Sequence, residues 1–212
     1  MLLKQASDIA VSICVQLQQF TNKINIAGSI RRKKNDVKDI EIICLPKSER
    51  STDLFGGEGE IIRSKNFIEM VNSLGKIIKG NASGKYMQIE LPIHHSPLTI
   101  HHSPLITHHS PLTINLDLFM PDDFDYYRQY AIRTGSAEYA AKVIAAGWKK
   151  IGWCGSDKGL RKIEDCINMP GPDGKSKWRC IKKDAELPPV WQSEEEFFRW
   201  IKVLYEKPIH RI

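Results

Sequence analysis

The chain has 212 residues, enough for one large domain or two small ones with a proper core. With 42% hydrophobic and 26% charged residues it reads as an ordinary soluble globular protein and not as a disordered or membrane-spanning one. The net charge of +6 favours an anionic partner, and residues 148–183 concentrate it, with ten Lys/Arg against four Asp/Glu beside Trp148, Trp153 and Trp178.

Leu2, Ala6, Ile9, Ile13, Leu17 and Phe20 recur at spacings of three and four and predict an amphipathic first helix. Lys4 and Asp8 near its start fit neither a signal peptide nor a membrane span, so a cytoplasmic protein is expected. A short strand over 24–27 runs into Gly28, and VKDIEIICL (37–45) alternates as a strand. In it Ile40, Ile42 and Cys44 point to one face, Asp39 and Glu41 to the other. LFGGEGE (54–60) predicts a loop, and NFIEMVNSLGKII a helix running up to Gly75. KYMQIELP (85–92) and INLDLFMP (114–121) predict two further strands, each ended by a proline.

Between them, residues 93–113 write one seven-residue unit three times, IHHSPLT IHHSPLI THHSPLT, with six of the seven histidines. Each unit carries a proline, which excludes a coiled coil. Metal ligation is one reading, but adjacent His pairs without fixed geometry favour a duplicated hairpin tip. TGSAEYAAKVIAAG (134–147) predicts a helix with Ser136 as N-cap and Gly147 as stop. Near the end, Ser193 and Glu196 predict a capping box, followed by a buried stripe of Phe197, Trp200, Ile201 and Leu204. Cys14, Cys44, Cys154, Cys166 and Cys180 lack the short spacings of a zinc or redox motif and read as reduced thiols.

The chemistry centres on AGSIRRKKNDVKDIEII (27–43). Two carboxylates on one strand face repel each other unless a cation sits between them. If strand 114–120 lies beside strand 37–45, Asp117 joins them and three hard-oxygen donors converge, a set suited to Mg²⁺. The backbone around Gly28-Ser29 and the Arg32 cation can hold phosphate oxygens, so a metal-bound triphosphate explains cations beside acids. The alternative is a solvated strand face for the acids and a solvated turn for residues 31–34.

An apolar strand, Gly-Ser, then Asp-Ile-Glu resembles the signature of the DNA polymerase beta-like nucleotidyltransferases. GSIRR (28–32), GKYMQIELP (84–92), INLDLFMP (114–121), TGS (134–136) and ELPPVWQSEEEFFRWIKVLYEKPIHR (186–211) resemble family X DNA polymerases in order along the chain. The resemblance implies an α+β fold, with a palm over 1–122 made of a mixed, mostly antiparallel sheet flanked by helices. The 93–113 repeat would be a hairpin insertion in the palm, and a small α+β thumb would follow over 123–212.

The resemblance further implies that Asp39, Glu41 and Asp117 bind two Mg²⁺ ions, with Mn²⁺ as an alternative. Gly28, Ser29 and Arg32 would contact the triphosphate, and Thr134 and Gly135 would form the turn against the nucleotide sugar. Expected partners are a DNA primer–template and deoxynucleoside triphosphates, and a separate DNA-binding protein is a further possibility. Lys149, Lys150, Lys158, Arg161 and Lys162 are candidate DNA contacts, and the protein is expected to be a monomer. Glu41 stands where the family usually has Asp, and Ala140 and Ile144 stand where it places an Asn and an Arg near the nascent pair. Nothing resembles the amino-terminal lyase or helix-hairpin-helix modules. Three activities stay open: a templated polymerase, a template-independent or small-substrate transferase, and a nucleic-acid-binding protein without turnover.

Overall fold

A computed structural model describes residues 1–52, 58–93, 113–171 and 176–212. Contacts divide the chain into two units, Met1–Ile30 with Lys34–Met120, and Arg31–Lys33 with Pro121–Ile212.

The first unit opens with α1 (Leu3–Gln18), whose Ala6, Ala10, Ile13 and Leu17 form the buried stripe. Leu2 precedes the helix, bridges to Asp36 and is exposed, so the predicted stripe begins one turn later. β1 (Thr21–Ile26) leads to α2 (Gly28–Arg31), then β2 (Asp39–Pro46). β3 (Ser48–Thr52) and β4 (Glu58–Arg63) form a small antiparallel pair, so residues 58–60 of the predicted loop are strand, while 53–57 lie outside the described residues. α3 (Lys65–Ser73) stops short of Gly75, and the apolar residues after it belong to an edge strand, β5 (Lys76–Gly80), which pairs with β6 (Tyr86–Pro92). Local periodicity does not separate those residues from the helix; the pairing does.

With β7 (Thr113–Phe119), the main sheet has the order β1-β2-β7-β6-β5. β2 and β7 are parallel and every other neighbouring pair is antiparallel, so the fold is α+β with a mixed, mostly antiparallel sheet. Pro92 stands opposite Thr113 where β6 and β7 meet the repeat, whose residues 94–112 lie outside the described ones. One sheet face, with Ile40, Ile42, Cys44, Met87, Ile89, Leu116 and Leu118, is buried with α1 and α3 in one core. The alternation of each strand therefore sends Asp39, Glu41, Gln88 and Asp117 to the opposite face.

The second unit holds α4 (Tyr126–Thr134), α5 (Ala137–Tyr139), a π-helical segment Ala140–Ala145 and α6 (Ala146–Lys150). The Ser136 hydroxyl accepts from the Tyr139 N–H, which makes it the predicted N-cap. Gly147 is not the stop. The helix continues past it because its bare backbone packs against Ile201 and Val203, and the chain turns at Gly152, φ +84.

β8 (Trp153–Ser156), β9 (Gly159–Lys162), β10 (Cys166–Pro170) and β11 (Ser176–Cys180) form a sheet of order β10-β11-β8-β9. α7 (Glu194–Trp200) closes the unit. Ser193 caps it at the Glu196 N–H, but the Glu196 carboxylate accepts from the Gln192 N–H and not from Ser193. Phe197 and Ile201 are buried; Leu204 is 86% exposed because the chain leaves the helix at Ile201 and reverses at Lys202, φ +56. Trp148, Trp153 and Trp191 pack with Phe197 and Phe198 as core. Among the described residues no helix is long and apolar enough to cross a membrane.

Candidate functional site

β2 and β7 run side by side in a register that sets Glu41 opposite Asp117 and Asp39 opposite Asn115. Asp39 and Glu41 are two residues apart on one strand, so all three carboxylates leave the same face, the one turned away from the core. The Ala27 N–H donates to the Glu41 carbonyl at 2.8 Å, drawing the end of β1 and the start of α2 onto β2. Gly28 follows with φ +61, and a Cβ there would fall inside the Glu41 carboxylate. Only glycine combines that backbone conformation with that closeness. The neighbouring Ser29 hydroxyl is buried without a hydrogen-bond partner.

Asp117 is further held from β6. Gln88 stands opposite it, and Gln88 Nε2 donates to Asp117 Oδ1 at 2.9 Å. The Tyr86 hydroxyl donates to the same oxygen at 2.7 Å. Neither residue was singled out from the sequence. The signal available was period two: Tyr86 and Gln88 alternate with the apolar Met87 and Ile89, but only the β6–β7 register says which acid they face.

Three carboxylates and an unpartnered buried hydroxyl are oxygen donors of the kind a hard divalent cation takes. Among the described residues no group of three or more His, Cys, Asp or Glu is placed to hold a metal ion. Mutual repulsion of like charges on one face works against such convergence in the protein alone.

The chain matches no protein-family model and no curated protein. Its functional reading therefore rests on this face of the sheet and on the motifs that build it.

In the second unit the predicted residues have definite structural partners. Thr134 is fully buried, and its hydroxyl accepts from Arg31 at 2.6 Å. The Thr134 carbonyl accepts from the Arg32 guanidinium, whose Nε is buried without a partner. Gly135 caps α4 and leaves no room for a Cβ against the Tyr139 ring. Arg31 is not part of a solvated turn. Its guanidinium forks onto Glu194 at 2.9 and 2.6 Å and lies 3.7 Å from the Tyr130 ring centre. Arg211, fully buried, meets the same carboxylate at 2.8 Å and lies over Phe198 and Tyr205. Burial pushes the Tyr130 phenol up to about 12 in spite of the adjacent guanidinium.

The candidate DNA contacts are dispersed over several elements. Lys149 and Lys150 end α6 and are exposed, as is Lys158 in the turn after β8. Arg161 and Lys162 are half-buried on β9, Arg161 on the Leu160 carbonyl and Lys162 paired with Glu186 at 2.5 Å.

All five cysteines are free thiols, and Cys154, Cys166 and Cys180 meet in one buried cluster despite their separation in sequence. Burial pushes the Cys44 and Cys166 thiols up to about 12 and Cys14 to about 11. At pH 8 the thiolate fraction is then about one in a thousand or less for these groups. A colorimetric disulfide reagent is expected to label these three thiols only slowly in the folded protein, and all five at once in guanidinium. Rapid labelling of Cys44 or Cys166 without denaturant would contradict their burial.

Proposed function

We propose that the chain is a metal-dependent nucleotidyltransferase of the DNA polymerase type, adding deoxynucleotides to a DNA 3′-hydroxyl, with the first unit as palm and the second as thumb. The observation that carries this reading is the parallel β2–β7 register, which sets Glu41 beside Asp117 with Asp39 on the same face. Asp39, Glu41 and Asp117 would hold two Mg²⁺ or Mn²⁺ ions, which when bound acidify the attacking hydroxyl and neutralise charge on the triphosphate. Asp117 accepts the proton of the 3′-hydroxyl. The Ser29 hydroxyl, buried and without a partner, donates to a phosphate oxygen. The Gly28 backbone keeps Glu41 against the sheet face. Arg32 for the triphosphate and Thr134-Gly135 for the sugar are assigned by resemblance, and so is a phosphate-neutralising role for the basic residues of the thumb.

A second reading, template-independent addition, is favoured by one observation. Ile144, where the family places an arginine near the template, is fully buried in the aromatic core of the second unit. Its side chain has no access to a base pair.

The test is primer extension with Mg²⁺ and, separately, Mn²⁺, on a primer–template and on the bare strand, with Asp117→Ala as control. Extension is expected in the wild type and none above background in the variant. Product that follows the template supports the polymerase, and product indifferent to it supports the second reading. If DNA binds but neither metal gives product on either strand, the transferase proposal fails and a binding protein remains.

A further inference from the structure

We infer that Tyr86 and Gln88 are positioning residues that commit the two oxygens of Asp117 to different tasks. Oδ1 is held by the protein, and Oδ2 is left for the metal and the acceptor hydroxyl. The inference rests on the nucleotidyltransferase reading and deepens it.

Both donors are neutral, and both end on the same oxygen, the Tyr86 hydroxyl at 2.7 Å and Gln88 Nε2 at 2.9 Å. Neither donor is free to wander. Gln88 is the direct cross-strand neighbour of Asp117, and Tyr86 that of Phe119. The Tyr86 ring stacks on Phe119 with centroids 5.2 Å apart and planes 30° apart, which aims the hydroxyl along the sheet face. Between them Met87, and just beyond them Ile89, are fully buried in the core on the opposite face, so the backbone carrying the donors is pinned. A carboxylate on a short side chain can rotate about its last bond, and two donors on one oxygen stop that rotation. The ligand then presents a single oxygen in a fixed direction, which is what outer hydrogen bonds do for metal-binding carboxylates elsewhere. It also leaves one proton acceptor for the 3′-hydroxyl, so attack has one geometry and not two.

The variants are Gln88→Met, which keeps the side-chain length and removes the donor, and Tyr86→Phe, which keeps the ring on Phe119. Each is expected to lower kcat about tenfold, and the pair about a hundredfold, with KM for the nucleotide within about twofold. Metal binding is read separately from activity by titrating the metal-free protein with Mn²⁺ and following the free-ion electron spin resonance signal. The double variant is expected to bind about tenfold more weakly, while Tm moves by only about 3 °C. In an Asp117→Ala background, adding Gln88→Met is expected to change Mn²⁺ affinity no further, since the effect passes through Asp117.

If the wild type binds Mn²⁺ and the Tyr86→Phe/Gln88→Met protein binds equally well with unchanged kcat, the positioning role is wrong and the transferase reading stands. An equal loss of affinity in the Asp117→Ala background would also overturn it. If the wild type binds no Mn²⁺ and transfers no nucleotide, both fall together.

Discussion

Truncating Glu194 to alanine is expected to cost the second unit about 3–5 kcal/mol. The carboxylate is 4% exposed and is shared by Arg31 and by Arg211, which is fully buried. Removing it leaves two guanidiniums facing each other across a dry site without their anion. Glu194→Gln keeps the shape and one acceptor oxygen but loses the charge and turns a donor amide towards a guanidinium, so it is expected to lie between the wild type and the alanine variant. All five tryptophans fall between residues 148 and 200, inside this unit. Tryptophan fluorescence during a urea melt therefore follows the second unit, whereas circular dichroism follows the whole chain. An unchanged fluorescence midpoint in Glu194→Ala would show that the buried cluster contributes little to stability.

Gly28→Ala is expected to remove nucleotide transfer to the background level of the Asp117 variant at a much smaller stability cost, about 1–2 kcal/mol for the left-handed backbone. The new methyl would occupy the place of the Glu41 carboxylate, so the acid has to leave the sheet face. The shorter acid makes a sharper test. Glu41→Asp retracts the carboxylate by one methylene, so Gly28→Ala/Glu41→Asp is expected to recover part of the activity and of the Mn²⁺ binding lost in Gly28→Ala. Full activity in Gly28→Ala would mean that the contact is unimportant. Absence of any recovery in the double variant would place the defect in the backbone and not in the crowding.

The two substitutions divide the molecule by what was legible beforehand. Gly28, Asp39, Glu41 and Asp117 stand out in the sequence through residue type, spacing and alternation; the common face of Asp39 and Glu41 follows from a strand period of two, and Asp117 joins it only through the β2–β7 register. Glu194 was legible only as an acid in the first turn of a capped helix. Its partners lie 163 and 17 residues away, and no local pattern joins them.

Several elements were set by short-range chemistry. The stripe of α1 repeats at the helical period, the Ser136 and Ser193 caps lie immediately before their helices, and β6 and β7 alternate between core and open face. These signals are local because hydrogen bonds within a turn and side-chain direction along a strand involve neighbours in the chain. Where the sequence misled, a distant contact prevailed. Gly147 carries the helix onward because Ile201 and Val203 fill the space beside it, and Leu204 is exposed because the chain reverses at Lys202. Lys76–Gly80 is a strand because β6 offers it an edge. Residue type and order thus determined the identity of the acids, the face that Asp39 and Glu41 share and the glycine near them. Only the tertiary structure decided that β7 lies parallel to β2, that Tyr86 and Gln88 take one oxygen of Asp117, and that Arg31 serves a buried carboxylate and is not part of a solvated turn. Strand order and buried ion pairing are settled by packing free energy over the whole unit, which no window of sequence contains.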